Sequence, residues 1–456
     1  MPQIEVNVKN KPIQVKEILD EEAWSGSCMG YWENLGFKGR LAITASWLLI
    51  LFPSFANLIT HSSSTILLLL ACMGVLVVFD PNRRPDLTLP EKWVMGTFAA
   101  YFLVHFLSLV INRALGGIPE IQIKLIDHEF RWLAIFPIYA LFRYGNISPK
   151  ILWAGVLSGA ALSGMYTLGM LIDPSGPARV RAAYNPIVFG NLALIFAFLG
   201  VPSLGWLLPK RGVYFLIPVA ALILGITGSM FSGSRGGWIA MPALILILIF
   251  YLADYLKTGI RLALVAGCCL VAVAAYQYPE TNVKKRVDAA VSQTRAFALG
   301  SQKFNSVSAR MVGWQAAWEI FRQNPIIGAG PERYEHLVDG LVASGKPYKT
   351  KRRHSQPHNT YLFTMVECGT LGLLVLLAIF ASPLWVALRL IRHGPATRDL
   401  GYALMILVVG FMQFGVTETI FGRNVFITTY LVMTAALMAL GRNAQEENRG
   451  NAASAA

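Results

Sequence analysis

The run NTYLFTMVECGTLGLLVLLAIFASPLWVAL, residues 359–388, carries a single charged side chain, Glu367, in thirty positions. At about 1.5 Å of rise per residue it is long enough to cross the ~30 Å hydrocarbon layer of a bilayer, and nothing in it favours a solvated face. Comparable apolar runs lie at 41–59, 63–79, 92–111, 130–143, 150–172, 186–205, 212–231, 237–254, 260–278, 400–418 and 424–440. Together they predict an all-α, polytopic integral membrane protein with about 12 transmembrane helices. Composition agrees. The chain is 55% hydrophobic and only 14% charged, with a mean hydropathy of +0.52, whereas soluble domains carry roughly a quarter charged residues.

The intervals between the runs set the organisation. Residues 1–36 are polar with no apolar signal core and read as a cytoplasmic N-terminal segment. Residues 37–278 hold transmembrane helices 1–9, residues 279–357 form one long loop, and 358–441 hold helices 10–12. The polar, small-residue tail 442–456 is expected to be cytoplasmic and disordered. Orientation follows from the short basic loops: Lys38 and Arg40, Arg83 and Arg84, Arg143 and Lys150, Lys210 and Arg211, Lys257 and Arg261, then Arg389, Arg392 and Arg398. All fall on one side, so the positive-inside rule places both termini in the cytoplasm and 279–357 outside, in a bacterial inner membrane. The five cysteines (Cys28, Cys72, Cys268, Cys269 and Cys368) suggest neither a disulfide framework nor a zinc site.

The long loop has a net charge of +7, half of the chain's +14, which suits an anionic partner or anionic headgroups. Met311, Trp314, Trp318 and Phe321 form a helical stripe that Asn324-Pro325 ends. Pro331 is expected to open a second helix, with Tyr334, Leu337, Val338 and Leu341 on one face. Two amphipathic helices lying across the outer membrane face as a lid or wall are therefore predicted.

Candidate chemistry gathers on that same outer side. Pro357-His358-Asn359-Thr360 opens the run quoted above. A histidine at a helix N-terminus feels the positive end of the dipole, which favours the neutral imidazole that a general base must be. Gly369 and Gly372 follow, Gly369 within about 20° of His358 around the helix, so a small-residue face for close helix packing is expected beneath the histidine. Glu367 falls on the opposite face and is not expected to orient His358.

Arginines form the second constellation: Arg179 and Arg181 in Asp-Pro-Ser-Gly-Pro-Ala-Arg-Val-Arg, Arg235 in Ser-Gly-Ser-Arg-Gly-Gly, Arg310 in the first loop helix, and Arg423 beside Glu418. Each alone also reads as an interfacial anchor, and Glu418 with Arg423 as an ion pair. As a set they suit phosphate, because the guanidinium stays charged and binds two oxygens at once. Asp127, His128 and Glu129 could hold a metal, but Lys124 and Arg131 beside them favour an ion-pair cluster. No metal site and no cofactor is expected.

The ordered set Ser234-Arg235-Gly236-Gly237, Ser308-Ala-Arg310-Met-Val-Gly-Trp314, Asn324-Pro-Ile-Ile-Gly328-Ala-Gly330, and His358-Asn359 followed by Gly369-Thr-Leu-Gly372 resembles the O-antigen ligase and O-antigen polymerase superfamily, most closely its ligases. The resemblance covers roughly Ala182 to Leu440. It implies a GT-C-like, metal-independent, inverting glycosyltransferase of lipopolysaccharide biosynthesis. Such an enzyme moves O-antigen from undecaprenyl pyrophosphate to a sugar hydroxyl of lipid A–core at the periplasmic face. Its implied partners are the lipid-linked glycan, lipid A–core and membrane lipids, with no nucleic acid. On this reading His358, Arg310 and Arg235 are catalytic, and Arg179, Arg181, Arg235 and Arg310 bind pyrophosphate. Arg333, Asn359 and Arg423 are further candidates.

Two other readings stay open. One is an O-antigen polymerase or protein O-oligosaccharyltransferase of the same superfamily, and the other is an organic-anion transporter. A transporter places ionisable groups near mid-membrane, whereas these candidates cluster at one face, which favours an enzyme.

Overall fold

A computed structural model describes residues 35–116, 123–172, 179–207, 212–259, 283–299, 305–348 and 356–455, together with residues 266 and 277. The span expected at 260–278 lies otherwise outside the described residues, as do nearly all of the N-terminal segment, Lys210, Arg211 and 349–355. In chain order the longer helices are α1 (Phe37–Ala56), α2 (Ser62–Val78), α3 (Leu89–Ala114), α4 (Ile123–Phe130), α5 (Ile135–Gly145), α6 (Pro149–Ile172), α7 (Pro186–Gly200), α8 (Leu216–Ser232) and α9 (Met241–Leu252). Then come α10 (Val283–Ala298), α11 (Ser306–Gln323), α12 (Tyr334–Ala343), α13 (Thr360–His393), α14 (Pro395–Thr417) and α15 (Asn424–Ala455).

The all-α, polytopic expectation holds. Among the described residues nine helices are long and apolar enough to cross a membrane, and α2 is a shorter apolar one. The run read at 130–143 is divided between α4, a 3-10 turn at Arg131–Ala134, and α5. Helices such as α8 that present Ile223 and Phe231 outward have a lipid-facing side. In the most apolar 18 residues of Pro186–Leu207 and of Asn424–Asn451, 94% of the residues are buried, so both helices stand in the middle of the bundle. A helix apolar all round has no polar face to turn toward water, so it takes an interior place or faces lipid.

The tail departs from expectation. Instead of ending at the membrane, α15 runs on to Ala455. Arg143 reaches across to Asn443 and pairs with Glu446 at 2.9 Å, and Arg442 pairs with Glu446 at 3.1 Å. The polar residues at its start, Arg442, Asn443 and Glu446, bond to neighbouring helices, and the helix continues beyond them with exposed side chains.

Helix α13 is broken. Gly369 has φ 64° and ψ −155°, a conformation open in practice only to glycine. The break lies about 15 Å below the start of the helix, where unsatisfied backbone groups are costly. The loop 325–330 satisfies them. Ala329 N–H donates to Val366 O (2.7 Å) and Gly330 N–H to Glu367 O (3.1 Å), while Thr370 N–H donates to Pro325 O (2.8 Å) and Leu371 N–H to Ile326 O (3.3 Å). The Ser108 hydroxyl adds a bond to Glu367 O at 2.7 Å. A Cβ on Gly328 would run into the Glu367–Cys368 backbone, and one on Gly369 into the carbonyl of Ile326. Gly369 therefore serves this stitch, not the helix-packing face expected of it. Gly369→Ala is expected to destabilise the protein by about 1–3 kcal/mol from backbone strain alone, with the collision added. Thermal unfolding of the detergent-solubilised variant measures this, and an unchanged midpoint would count against a strained break.

Helices α11 and α12 form as expected, with two differences. Pro331 does not open α12, which starts at Tyr334 after a turn in which Glu332 has φ 57°. Nor do their apolar faces rest only on lipid. Ala317, Ile320, Ala329 and Tyr334 pack with Val366, Leu362 and Phe363 of α13, so these helices crown the bundle. The helix α10 was not foreseen; its sequence is too polar to resemble a span.

Candidate functional site

Chain direction brings the candidate residues to one end. Helix α14 climbs to Thr417, α15 leaves from Asn424, α13 starts at Thr360, and a short turn at Arg235–Trp238 precedes α9. Helix α11 covers this end and packs on α13.

His358 sits one residue before the α13 cap with φ 52°. Asn359 is the N-cap: its side chain accepts from Leu362 N–H at 3.0 Å and donates to Val416 O at 3.0 Å. That straps the start of α13 to the end of α14. A second strap runs through Thr360, whose hydroxyl donates to Glu418 O (2.8 Å) and accepts from Ile420 N–H (3.0 Å). From above, Trp314 Nε1 donates to Pro357 O at 3.0 Å. These bonds fix the backbone on both sides of His358, so the imidazole is placed by the fold.

The partner of His358 is Glu418, with Nδ1 to Oε2 at 3.2 Å. Glu418 is 1% exposed, and its other oxygen lies 3.7 Å from Nε of Arg423. Burial alone would raise this carboxyl. The hydrogen bond to His358 and the charges of His358, Arg423 and Arg310 outweigh it and hold Glu418 below its ordinary value. An anionic carboxylate only accepts, so the Nδ1 of His358 carries the donated proton, and in the neutral ring that leaves the lone pair on Nε2. Such an arrangement can serve as a base with an orienting carboxylate.

Arg310 lies in α11, partly buried, in electrostatic reach of the same carboxylate. Burial lowers its guanidinium from the ordinary value; Glu418 opposes that shift, and the like charge of Arg235 adds to it. Arg310 and Arg423, from different elements, thus both act on Glu418, and Arg235 is close enough to act on Arg310.

Arg235 is aimed by a densely bonded turn. Gly233 ends α8 with φ 64°. Ser234 N–H donates to Ser232 Oγ (3.2 Å), and Ser234 Oγ donates to Asn191 Oδ1 (3.2 Å). A Cβ on Gly236 would strike Oγ1 of Thr417, the residue before Glu418, so the Gly-Gly pair lets this turn approach the end of α14.

The remaining candidates have other placements. The guanidinium of Arg179 donates to Ser232 O at 2.8 Å and Gly233 O at 3.3 Å. Arg181 is exposed, and its carbonyl accepts from Tyr166. Arg333 Nη1 donates to Ala329 O at 3.2 Å, within the stitch. Asp127 turns away and pairs with Arg131 (2.7 Å), whereas His128, which meets Asn424 (3.1 Å), and Glu129 both line a small internal cavity with Tyr101, His105 and Glu367. Lys124 pairs with Glu332 at 3.2 Å. Glu367 accepts from Glu332 N–H at 3.2 Å and does not orient His358. Sequence reasoning missed the role of Glu418. Its pairing with Arg423 five residues away was legible, but the contact with His358, sixty residues away, was not.

A family model described as O-antigen ligase matches residues 220–377, a stretch that contains Arg235, Arg310, His358 and Gly369. The chain is similar to an uncharacterized protein of Haemophilus influenzae, 25% identical over 387 residues that cover 84% of this chain and 95% of that protein. It is also similar to the exopolysaccharide production protein ExoQ of Rhizobium meliloti, 21% identical over 322 residues, 67% of this chain and 69% of that protein.

Proposed function

We infer from this chain's kinship with the O-antigen ligase and polymerase superfamily that it is a multi-pass membrane enzyme joining a lipid-linked glycan to a hydroxyl acceptor. The preferred reaction is transfer of O-antigen from undecaprenyl pyrophosphate to lipid A–core at the periplasmic face of the inner membrane, with both termini cytoplasmic. The observation that carries the reading is the hydrogen bond of His358 to the buried Glu418, with Arg310 in electrostatic reach of that carboxylate and Arg235 in reach of Arg310.

In this reaction Nε2 of His358 takes the proton of the acceptor hydroxyl, a contribution of about 10²–10⁴-fold. The acceptor oxygen attacks the anomeric carbon from the face opposite the pyrophosphate, the carbon–oxygen bond to the carrier breaks, and the configuration inverts. Undecaprenyl pyrophosphate departs with the bonding electrons, and Arg310 and Arg235 stabilise the charge that develops on it. Arginines so placed take the part that a divalent metal plays in other transferases. Spans with lipid-facing sides suit a carrier that arrives from the bilayer.

The name of the Rhizobium relative, an exopolysaccharide production protein, favours a second reading in which the acceptor is another carrier-linked glycan and the product a longer chain. One experiment tests both. Purified protein is given lipid-linked glycan with lipid A–core, or lipid-linked glycan alone, in excess EDTA. The expected result is a glycan joined to lipid A–core with undiminished yield in EDTA. Chain extension without lipid A–core would favour the polymerase. Product that appears only with added magnesium or manganese would remove metal independence, and no product under any of these conditions would sink the reading.

A further inference from the structure

Arg179 stands near Arg235, and two nitrogens of its guanidinium group are turned to the protein itself. Nε donates to Ser232 O at 2.8 Å and Nη2 to Gly233 O at 3.3 Å, and next to it Val180 N–H donates to Phe231 O at 3.1 Å. These carbonyls end α8, where the last carbonyls have no helical donor and the negative end of the helix dipole is exposed. The Gly233 carbonyl also accepts from the backbone N–H of Arg235 at 3.1 Å. One oxygen therefore ties the guanidinium of Arg179 to the backbone of Arg235. On the far side the turn is closed by Ser234 on Asn191 and by Gly236 against Thr417.

We propose that Arg179 is a positioning residue that clamps the Ser232–Gly233 carbonyls, so that the turn aims Arg235 at the leaving pyrophosphate. The proposal rests on the transfer reaction inferred above, and it replaces the expectation that Arg179 itself binds phosphate. The physical reason has two parts. Uncapped carbonyls beside Arg235 would compete with an anionic substrate for its guanidinium, and Arg179 occupies them. A turn with one side released can also shift by an ångström, enough to cost up to about a hundredfold in rate when a charge donor is misplaced.

A double-mutant cycle in the full-length protein separates clamp from ligand. Arg179→Ala is expected to slow transfer about ten- to a hundredfold, and Arg235→Ala about 10²–10³-fold. The double variant is expected to be no slower than Arg235→Ala alone, since a clamp has nothing left to aim. Losses that multiply would overturn the proposal in favour of direct phosphate binding by Arg179. Hydrogen exchange of the intact protein gives a readout independent of turnover: amides across 233–237 should exchange faster in Arg179→Ala, and unchanged exchange would overturn the clamp whatever the activity. If Arg235→Ala transfers at the wild-type rate, the functional reading fails, and exchange still decides the clamp. Should Arg179→Ala not fold, Arg179→Gln, which keeps one amide donor, takes its place in both measurements.

Discussion

His358→Ala is expected to abolish most transfer while the protein folds and still binds the lipid-linked donor, because the arginines that face the pyrophosphate come from other elements. The decisive comparison is among His358→Ala, His358→Gln and Glu418→Gln. Glutamine at 358 keeps a hydrogen-bond donor but cannot accept a proton, so it should be as slow as alanine, about 10²–10⁴-fold below wild type. Glu418→Gln keeps the shape of the buried side chain and loses the anion. Its amide can donate to Nδ1, which selects the tautomer with the proton on Nε2, the wrong atom for a base. A large fall in rate with little change in donor binding is expected.

The pH profile follows with a definite sign. Glu418 is held below its ordinary value by His358, Arg423 and Arg310 against the effect of burial, so it stays anionic down through the ordinary carboxylate range. A general base works only while it is unprotonated, so a base at position 358 gives turnover an acid limb, and this limb should be absent from the residual rate of His358→Gln. An active, pH-independent Gln variant would end the general-base role and leave His358 as an anchor or a donor to phosphate.

The second large effect concerns the arginines. Arg310→Ala and Arg235→Ala are each expected to lower turnover about 10²–10³-fold, the scale for removing one preorganised charge donor. Lysine should restore little, because an ammonium keeps the charge and loses the planar fork that grips two phosphate oxygens. Arg310 carries an additional expectation. It shares Glu418 with His358, so its removal takes one cation from the carboxylate and should displace the acid limb of the pH profile as well as the rate. Near-wild-type rates for both lysine variants would reduce these residues to general electrostatics.

The sequence by itself determined that this protein lives in a membrane, because runs such as 359–388 contain almost no charge and have the length of a bilayer crossing. It also placed His358 and Arg235 at the ends of apolar spans and Arg310 in the loop between them, so the expectation that these residues share one end of the bundle follows from counting crossings. What it could not convey were relations between residues far apart in the chain. The hydrogen bond from His358 to Glu418 depends on α13 and α14 meeting at one end, and periodicity carries no information about that distance. Gly369 reads as a small residue on a helix face until loop 325–330 is seen occupying the break. A backbone angle is set there by a neighbour forty residues earlier, not by local preference. The tail 442–455 misled for the same reason: its polar composition has the look of a free end, and only Arg143 and Glu91 on other helices make it a helix with partners. Solvent preference is written residue by residue, whereas pairing is a property of the packed chain.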